Sequence, residues 1–151
     1  MEAFSYQIWF AVRYVHVLSV ALLSGGALAL CALSSSSAAG VDARVTLIAA
    51  TMYERAFWLV AGVTVATGVS NLGLKGDGVL GPDTSWGAAL SFKLTLVLML
   101  LALSLVRTDF VARSPAPTRR ARVVLIALYG GTAAALFTAF WIGLGLAHGR
   151  Y

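Results

Sequence analysis

Four long apolar runs, separated by short polar segments, dominate the hydrophobic pattern of the chain. They cover about residues 8–33, 52–74, 88–110 and 123–147. A helix needs about 20 apolar residues to cross the hydrocarbon core of a bilayer, and each run is long enough. Strands of a transmembrane barrel alternate apolar and polar residues, whereas these runs are continuously apolar. The pattern therefore predicts four transmembrane helices.

The polar segments between the runs are rich in turn-forming residues. They read SSSSAAG at 34–40, KGDGVLGPDTSWG at 75–87 and VARSPAPTRRAR at 111–122. Clusters of Gly, Pro and Ser between apolar segments indicate loops, and short connections make consecutive helices antiparallel neighbours. We therefore expect residues 1–151 to form a single domain, an all-α four-helix bundle spanning the membrane.

Small residues recur at helical spacing in the last run, where they form a stripe. Its members are Gly131, Ala135, Ala139 and Gly143. Lipid provides no hydrophobic drive between helices, so small residues let backbones approach closely. The stripe predicts tight packing inside the bundle. The same spacing is typical of a contact between two copies of the chain, so the sequence leaves a homo-oligomer open.

Composition agrees with a membrane protein. The chain is 60% hydrophobic and 11% charged, with a mean hydropathy of +0.87, whereas soluble domains carry about 25% charged residues. The net charge of +5 does not indicate nucleic-acid binding, because most of it falls in one short loop. Cys31 is the single cysteine, and no CxxCH motif attaches a c-type haem.

Positive charge is unevenly divided between the two ends of the predicted bundle. One end is rich in arginine and carries Arg44, Arg107, Arg113, Arg119, Arg120 and Arg122, with Arg55 nearby. The opposite end carries Arg13, Lys75 and Arg150. Arginine-rich loops stay in the cytoplasm. We therefore expect both termini to lie on the outer side of the membrane.

Polar side chains inside the predicted spans concentrate in the outer half. A histidine among hydrocarbon tails is costly unless it faces protein, cofactor or water, which makes His16 a candidate site residue. At 1.5 Å per residue, His16 lies roughly 27 Å and Lys93 about 21 Å from the cytoplasmic ends of their spans. Asn71 continues a polar stripe that contains Thr64, Thr67 and Gly68. Arg13 and His148 lie near the same end of the bundle.

Each of these side chains also has a purely structural interpretation. The histidine can simply hydrogen-bond a neighbouring carbonyl, the lysine can extend to lipid headgroups, and Asn71 with the threonines can join helices. An assembly subunit without a cofactor therefore remains open. The convergence of four helices on one polar layer favours a site.

The residue types limit the chemistry of such a site. No Ser–His–carboxylate set shares a layer, so no catalytic residue is assigned. A closed metal site needs three or four protein ligands, which the two histidines and one cysteine of the chain do not supply together. Haem iron needs only one or two axial ligands. One haem b is therefore predicted, with His16 and His148 as candidate iron ligands and Lys93 or Arg13 near the propionates. His148 is the weaker ligand, because helical rise places it about 12 Å beyond His16.

Three segments resemble a known superfamily of membrane proteins. RYVHVLSVALLSGG, around His16, resembles the first helix of CopD-type copper-resistance domains and of HemJ-type protoporphyrinogen oxidases. YERAFWLVAGVTVATGVSN resembles their second helix, which ends in a TG pair, here Thr67 and Gly68. SWGAALSFKLTLVLMLL resembles their third helix, whose lysine would be Lys93.

The resemblance implies a four-helix bundle in the bacterial inner membrane. HemJ-like members are linked to haem b and oxidise protoporphyrinogen, with important residues that would be His16 and Lys93. CopD-like members are linked to copper uptake or periplasmic copper handling. The chain departs from both. It lacks the proline that HemJ proteins tend to carry in the second helix, and its three methionines offer few of the soft ligands that Cu(I) favours.

The leading hypothesis is therefore an inner-membrane protein with one haem b in the outer half. Its role would be electron transfer, with quinol or a periplasmic or respiratory redox protein as partner. CopD-like copper handling and HemJ-like porphyrin oxidation are the alternatives, so whether the chain is an enzyme stays open.

Overall fold

The computed structural model describes residues 2–36, 43–75, 81, 83–113 and 118–148. Four helices account for nearly all of them: α1 (Glu2–Ser36), α2 (Ala43–Lys75), α3 (Ser85–Arg113) and α4 (Arg119–Ala147). Each predicted run lies inside one helix, and all four helices are long and apolar enough to cross a membrane. The all-α, four-helix transmembrane architecture is confirmed, whereas the side on which the termini lie stays a prediction.

Hydroxyl side chains define where α3 and α4 begin. Thr84 Oγ1 accepts a hydrogen bond from the Gly87 amide at 3.0 Å, just before α3. Thr118 Oγ1 accepts one from the Ala121 amide at 3.1 Å, at the N-cap of α4. Such caps satisfy amides that have no partner within the helix. The helices therefore extend into segments that hydropathy alone assigns to loops.

The two terminal helices form the centre of the bundle. α1 packs against both α2 and α4, α3 packs mainly against α4, and α2 and α3 touch each other less. We call the end that carries Arg113 and Arg119 the arginine-rich end. His16 lies toward the opposite end.

Apolar side chains fill three successive levels of the interior. Leu30, Ala50, Leu125 and Tyr129 are among those nearest the arginine-rich end. The middle level consists of Leu23, Phe57, Ala61, Leu100 and Leu136. At the opposite end Trp86 packs against Ile142 and Leu146. The middle level is the one that separates the two groups of polar side chains described below.

The small residues of α4 do not all serve close packing. Ala139 is buried, and Gly143 lies against Lys93 of α3. Gly131, by contrast, has open space where a side chain would start. Gly26 of α1 closely approaches another helix: the ring of Tyr53 covers it so tightly that a Cβ atom would overlap the ring.

Candidate functional site

His16 is held by the backbone of α2. Its Nδ1 atom lies 3.0 Å from the carbonyl oxygen of Thr64 and 3.1 Å from Oγ1 of Thr67. A backbone carbonyl only accepts hydrogen bonds, so Nδ1 carries the proton and donates it. In the neutral ring the other nitrogen, Nε2, then keeps its lone pair, and it makes no hydrogen bond to the described part of the chain.

Gly68 provides the surface on which the imidazole rests. A Cβ atom at this position would lie 3.2 Å from Cε1 of His16, closer than ordinary van der Waals contact. Thr64, Thr67 and Gly68 were predicted to share one face of α2, and the structure brings all three to His16. The imidazole is therefore fixed in both position and orientation.

Lys93 points into the bundle rather than along its own helix. Its Nζ atom lies over Gly143 of α4, only 2.9 Å from where a Cβ atom would be. Like His16, Lys93 lies beyond the middle apolar level, on the side away from the arginine-rich end. Within the described residues, Lys93 forms no ion pair. The layer thus combines an oriented imidazole with a cation that has no carboxylate partner in the described chain.

Asn71 is the third side chain of this layer. It lies on α2, three residues beyond Gly68, and is half-buried. Its Oδ1 atom is buried and has no hydrogen-bond partner among the described residues. Buried polar atoms are nearly always hydrogen-bonded, so this amide is available to a ligand. We define His16, Lys93 and Asn71 as the outer polar layer, named for the side of the membrane on which the arginine distribution predicts that it lies.

Arg13 and His148 are not brought to His16 by any contact in the described structure. The guanidinium carbon of Arg13 lies 5.1 Å from the ring centroid of Trp9, a cation–π contact within α1. His148 is exposed, and its Nδ1 atom lies 2.8 Å from the carbonyl oxygen of Leu144 in its own helix. Its backbone amide also caps α4.

A second polar group, which the sequence did not reveal, lies nearer the arginine-rich end. Arg107 Nε and Nη2 donate to the two carboxylate oxygens of Glu54 at 2.6 and 3.2 Å. Tyr129 and Thr108 donate to the same carboxylate at 2.8 and 2.7 Å. Arg107 Nη1 donates to Thr132 Oγ1 at 2.7 Å. These five residues form the Glu54–Arg107 cluster.

Aromatic rings enclose the guanidinium group of this cluster. Its carbon lies 4.5 Å from the ring centroid of Phe57, 5.1 Å from that of Tyr129 and 5.2 Å from that of Tyr53. Every oxygen of the Glu54 carboxylate has two donors, which saturates an ionised carboxylate. The cluster therefore has a structural role: it ties α2, α3 and α4 together.

The position of Arg107 corrects the sequence interpretation. The charge distribution along the sequence groups it with the loop charges at the arginine-rich end, yet it lies inside α3 and its side chain is fully buried. The remaining arginines of that end still outnumber the positive charges of the opposite end, so the orientation argument keeps its direction. A signal was present: Glu54 in an apolar run requires a cation inside the membrane, and Arg107 falls within the third apolar run.

The two polar groups are separate sites. On α2, Glu54 and Thr64 are ten residues apart, about 15 Å along the helix. The middle apolar level, which includes Leu23, Leu100 and Leu136, lies between them. The two polar groups therefore share no side chain among the hydrogen bonds of the described residues.

The fold and these two polar groups define a multi-pass membrane protein with an oriented histidine inside a four-helix bundle. Comparison of the chain with protein-family models, with curated proteins and with solved structures finds no match.

Proposed function

We propose that the chain binds one haem b in the outer polar layer, with Nε2 of His16 as an axial ligand to the iron. The observation that carries this proposal is the hydrogen bond from Nδ1 to the Thr64 carbonyl. A histidine that binds a metal characteristically donates its other ring N–H to a carbonyl or carboxylate, which fixes the tautomer and orients the ring. His16 has that arrangement before any ligand is considered, and the same hydrogen bond is also what the purely structural interpretation of this histidine predicts.

The other side chains of the layer suit the propionate groups of a haem. The Lys93 ammonium is a counter-ion for a propionate carboxylate, and the Asn71 amide supplies a further hydrogen bond. Arg13, nearer the end of the bundle, is a second cation for a propionate. Among the described residues, no three His, Cys, Asp or Glu side chains lie close enough together to hold a metal ion. A metal at His16 therefore needs most of its ligands from a macrocycle rather than from the protein.

Haem b, when bound, supplies one-electron redox chemistry. The chain contributes an oriented axial ligand, a cation and surrounding apolar side chains. Features of this kind are how a protein adjusts the reduction potential of a haem. We assign the protein a role in electron transfer within the bacterial inner membrane, exchanging electrons with quinol or with a redox protein outside. His148 is retained as the weaker candidate for the second axial position.

One observation favours the porphyrin-oxidation alternative. His16 and Lys93, the two residues to which the HemJ resemblance points, come from different helices and lie in one layer. Copper handling receives less support, because the sulfur atoms are distant from His16. Met52 and Met99 are exposed on the outside of the bundle, and the Cys31 thiol contacts the Ile126 carbonyl near the arginine-rich end.

An absorption spectrum of the protein purified after haem-replete expression tests the proposal. We expect a Soret band that shifts on reduction with dithionite and is lost in His16→Ala. His148→Ala is the matched control, and retention of the band there assigns the second ligand to another group. Absence of a Soret band in the unsubstituted protein would reject haem binding. Copper found by elemental analysis, or rescue of a haem-auxotrophic strain that depends on His16, would favour the respective alternative.

A further inference from the structure

Two aromatic rings in the contact between α1 and α2 make the same kinds of contact with the opposite helix. Near the arginine-rich end, the Tyr53 hydroxyl of α2 donates to the Leu23 carbonyl of α1 at 2.8 Å, and its ring covers Gly26. Toward the opposite end, His16 of α1 donates to the Thr64 carbonyl of α2. Each ring thus donates a hydrogen bond to a backbone carbonyl of the other helix. Each also covers a glycine of that helix, three or four residues after the residue that carries the carbonyl.

The direction of the side chains explains the match. In a helix the Cα–Cβ bonds lean toward the N-terminus, and α1 and α2 run antiparallel. The His16 ring therefore leans toward the end where its helix begins, and the Tyr53 ring leans toward the arginine-rich end. Ten residues of α1 separate His16 from Gly26, about 15 Å along the helix. Eleven residues of α2 separate Tyr53 from Thr64, about 16 Å.

Tyr53 is the more firmly held of the two rings. Its centroid lies 5.6 Å from that of Tyr129 and 5.9 Å from that of Phe57, and the Arg107 guanidinium lies against its face. A ring packed in this way has little freedom to slide. A Cβ atom at Gly26 would overlap the ring, so the ring resists an axial slip that brings a residue with a side chain, such as Ala27, to this position.

We infer that Tyr53 and Gly26 are positioning residues: they set the axial register of α1 against α2, and this register delivers His16 to the Thr64 carbonyl. A slip of α1 by one residue moves His16 by about 1.5 Å, enough to break its hydrogen bond to Thr64. The importance of that hydrogen bond for a ligand rests on the proposed function. The register itself does not.

Crosslinking measures the register without haem. In a Cys31→Ala background, His16→Cys and Gly68→Cys place two thiols where the ring now meets the glycine. A short bifunctional thiol reagent is expected to join them. Gly26→Ala is expected to lower the yield several-fold, because a methyl group there overlaps the Tyr53 ring. Gly25→Ala is the matched control, since a Cβ atom at Gly25 meets open space, and its yield should be unchanged.

Tyr53→Leu keeps the test decisive if Gly26→Ala does not fold, because it removes the ring without adding volume. Its crosslinking yield is also expected to fall. Yields in Gly26→Ala or Tyr53→Leu equal to that of Gly25→Ala overturn the inference. Haem content, measured with His16 intact, is expected to fall in parallel. A fall in crosslinking with no Soret band in any variant would sustain the register and reject the haem.

Discussion

Arg107 of α3 donates hydrogen bonds to both carboxylate oxygens of Glu54 of α2, in a pair that is almost completely buried. Moving two charges out of water costs free energy that their attraction only partly returns. Breaking such a pair is more costly than replacing both partners, because one charge remains buried without compensation. The pair therefore fixes which helices face each other, whatever its net contribution to stability.

Loss of one partner of this pair should destabilise the bundle strongly. We expect Arg107→Leu to lower the free energy of unfolding by about 3–5 kcal/mol, because the Glu54 carboxylate keeps only Tyr129 and Thr108 as donors. The double variant Glu54→Leu/Arg107→Leu should cost less than the sum of the single variants. Unfolding by denaturing detergent in mixed micelles provides the measurement.

The exposed pair between Asp109 and Arg113 is the control for this prediction. Its N–O distance is 2.8 Å, similar to the buried pair, but both side chains are largely exposed. An exposed pair at this spacing contributes about 0.3–0.5 kcal/mol, so Asp109→Ala should change stability little. An Arg107→Leu cost as small as that of Asp109→Ala would contradict a structural role for the cluster.

The sequence alone predicts the four membrane spans and one face of the candidate site. Continuous hydropathy places all four helices, and the spacing of Thr64, Thr67 and Gly68 predicts the stripe that meets His16. Hydropathy says nothing about which helix faces which, so neither the Thr64 carbonyl nor Gly143 was identified as a partner. Arg107 was misplaced because a charged residue near the end of an apolar run is usually a boundary, whereas here α3 continues to Arg113.

Gly68 should control the orientation of His16. Its substitution by alanine places a methyl group 3.2 Å from Cε1 of the ring, so we expect the imidazole to shift by a few tenths of an ångström and its hydrogen bond to Thr64 to weaken. Loss of such an outer hydrogen bond typically weakens metal binding by about 10-fold or more. We therefore expect Gly68→Ala to bind haem about 10-fold more weakly, measured by titration of haem into the haem-free protein.

Gly62→Ala is the matched control on the same helix, because a Cβ atom there meets nothing within 4 Å. Histidine labelled with ¹⁵N gives a readout that does not require haem. In a His148→Ala background, His16 should show the tautomer protonated at Nδ1, and Gly68→Ala should disturb it. The opposite tautomer in the otherwise unsubstituted protein would remove the main support for Nε2 as a ligand.

The orientation of the chain follows from its arginines and is open to direct measurement. With the arginine-rich end in the cytoplasm, alkaline phosphatase fused after Tyr151 should be active, and green fluorescent protein fused there should be dark. Replacement of Arg119, Arg120 and Arg122 by glutamine should weaken this preference and give a mixed population. A fluorescent, phosphatase-inactive C-terminus in the natural sequence would place the outer polar layer on the cytoplasmic side instead.

Gly143 should determine where the Lys93 ammonium lies. Alanine in a helix interior is more favourable than glycine by about 0.5–1 kcal/mol, and Gly131→Ala, with open space at its Cβ position, should show that gain in stability. Gly143→Ala should fold equally well, because the atom it displaces is the end of a flexible side chain.

If Lys93 holds a propionate, Gly143→Ala and Lys93→Met should each weaken haem binding several-fold, and Gly131→Ala should not. Because both changes remove the same contact, the double variant should be no weaker than Lys93→Met alone. Additive losses in this cycle would show that Gly143 acts on haem binding by a route other than Lys93.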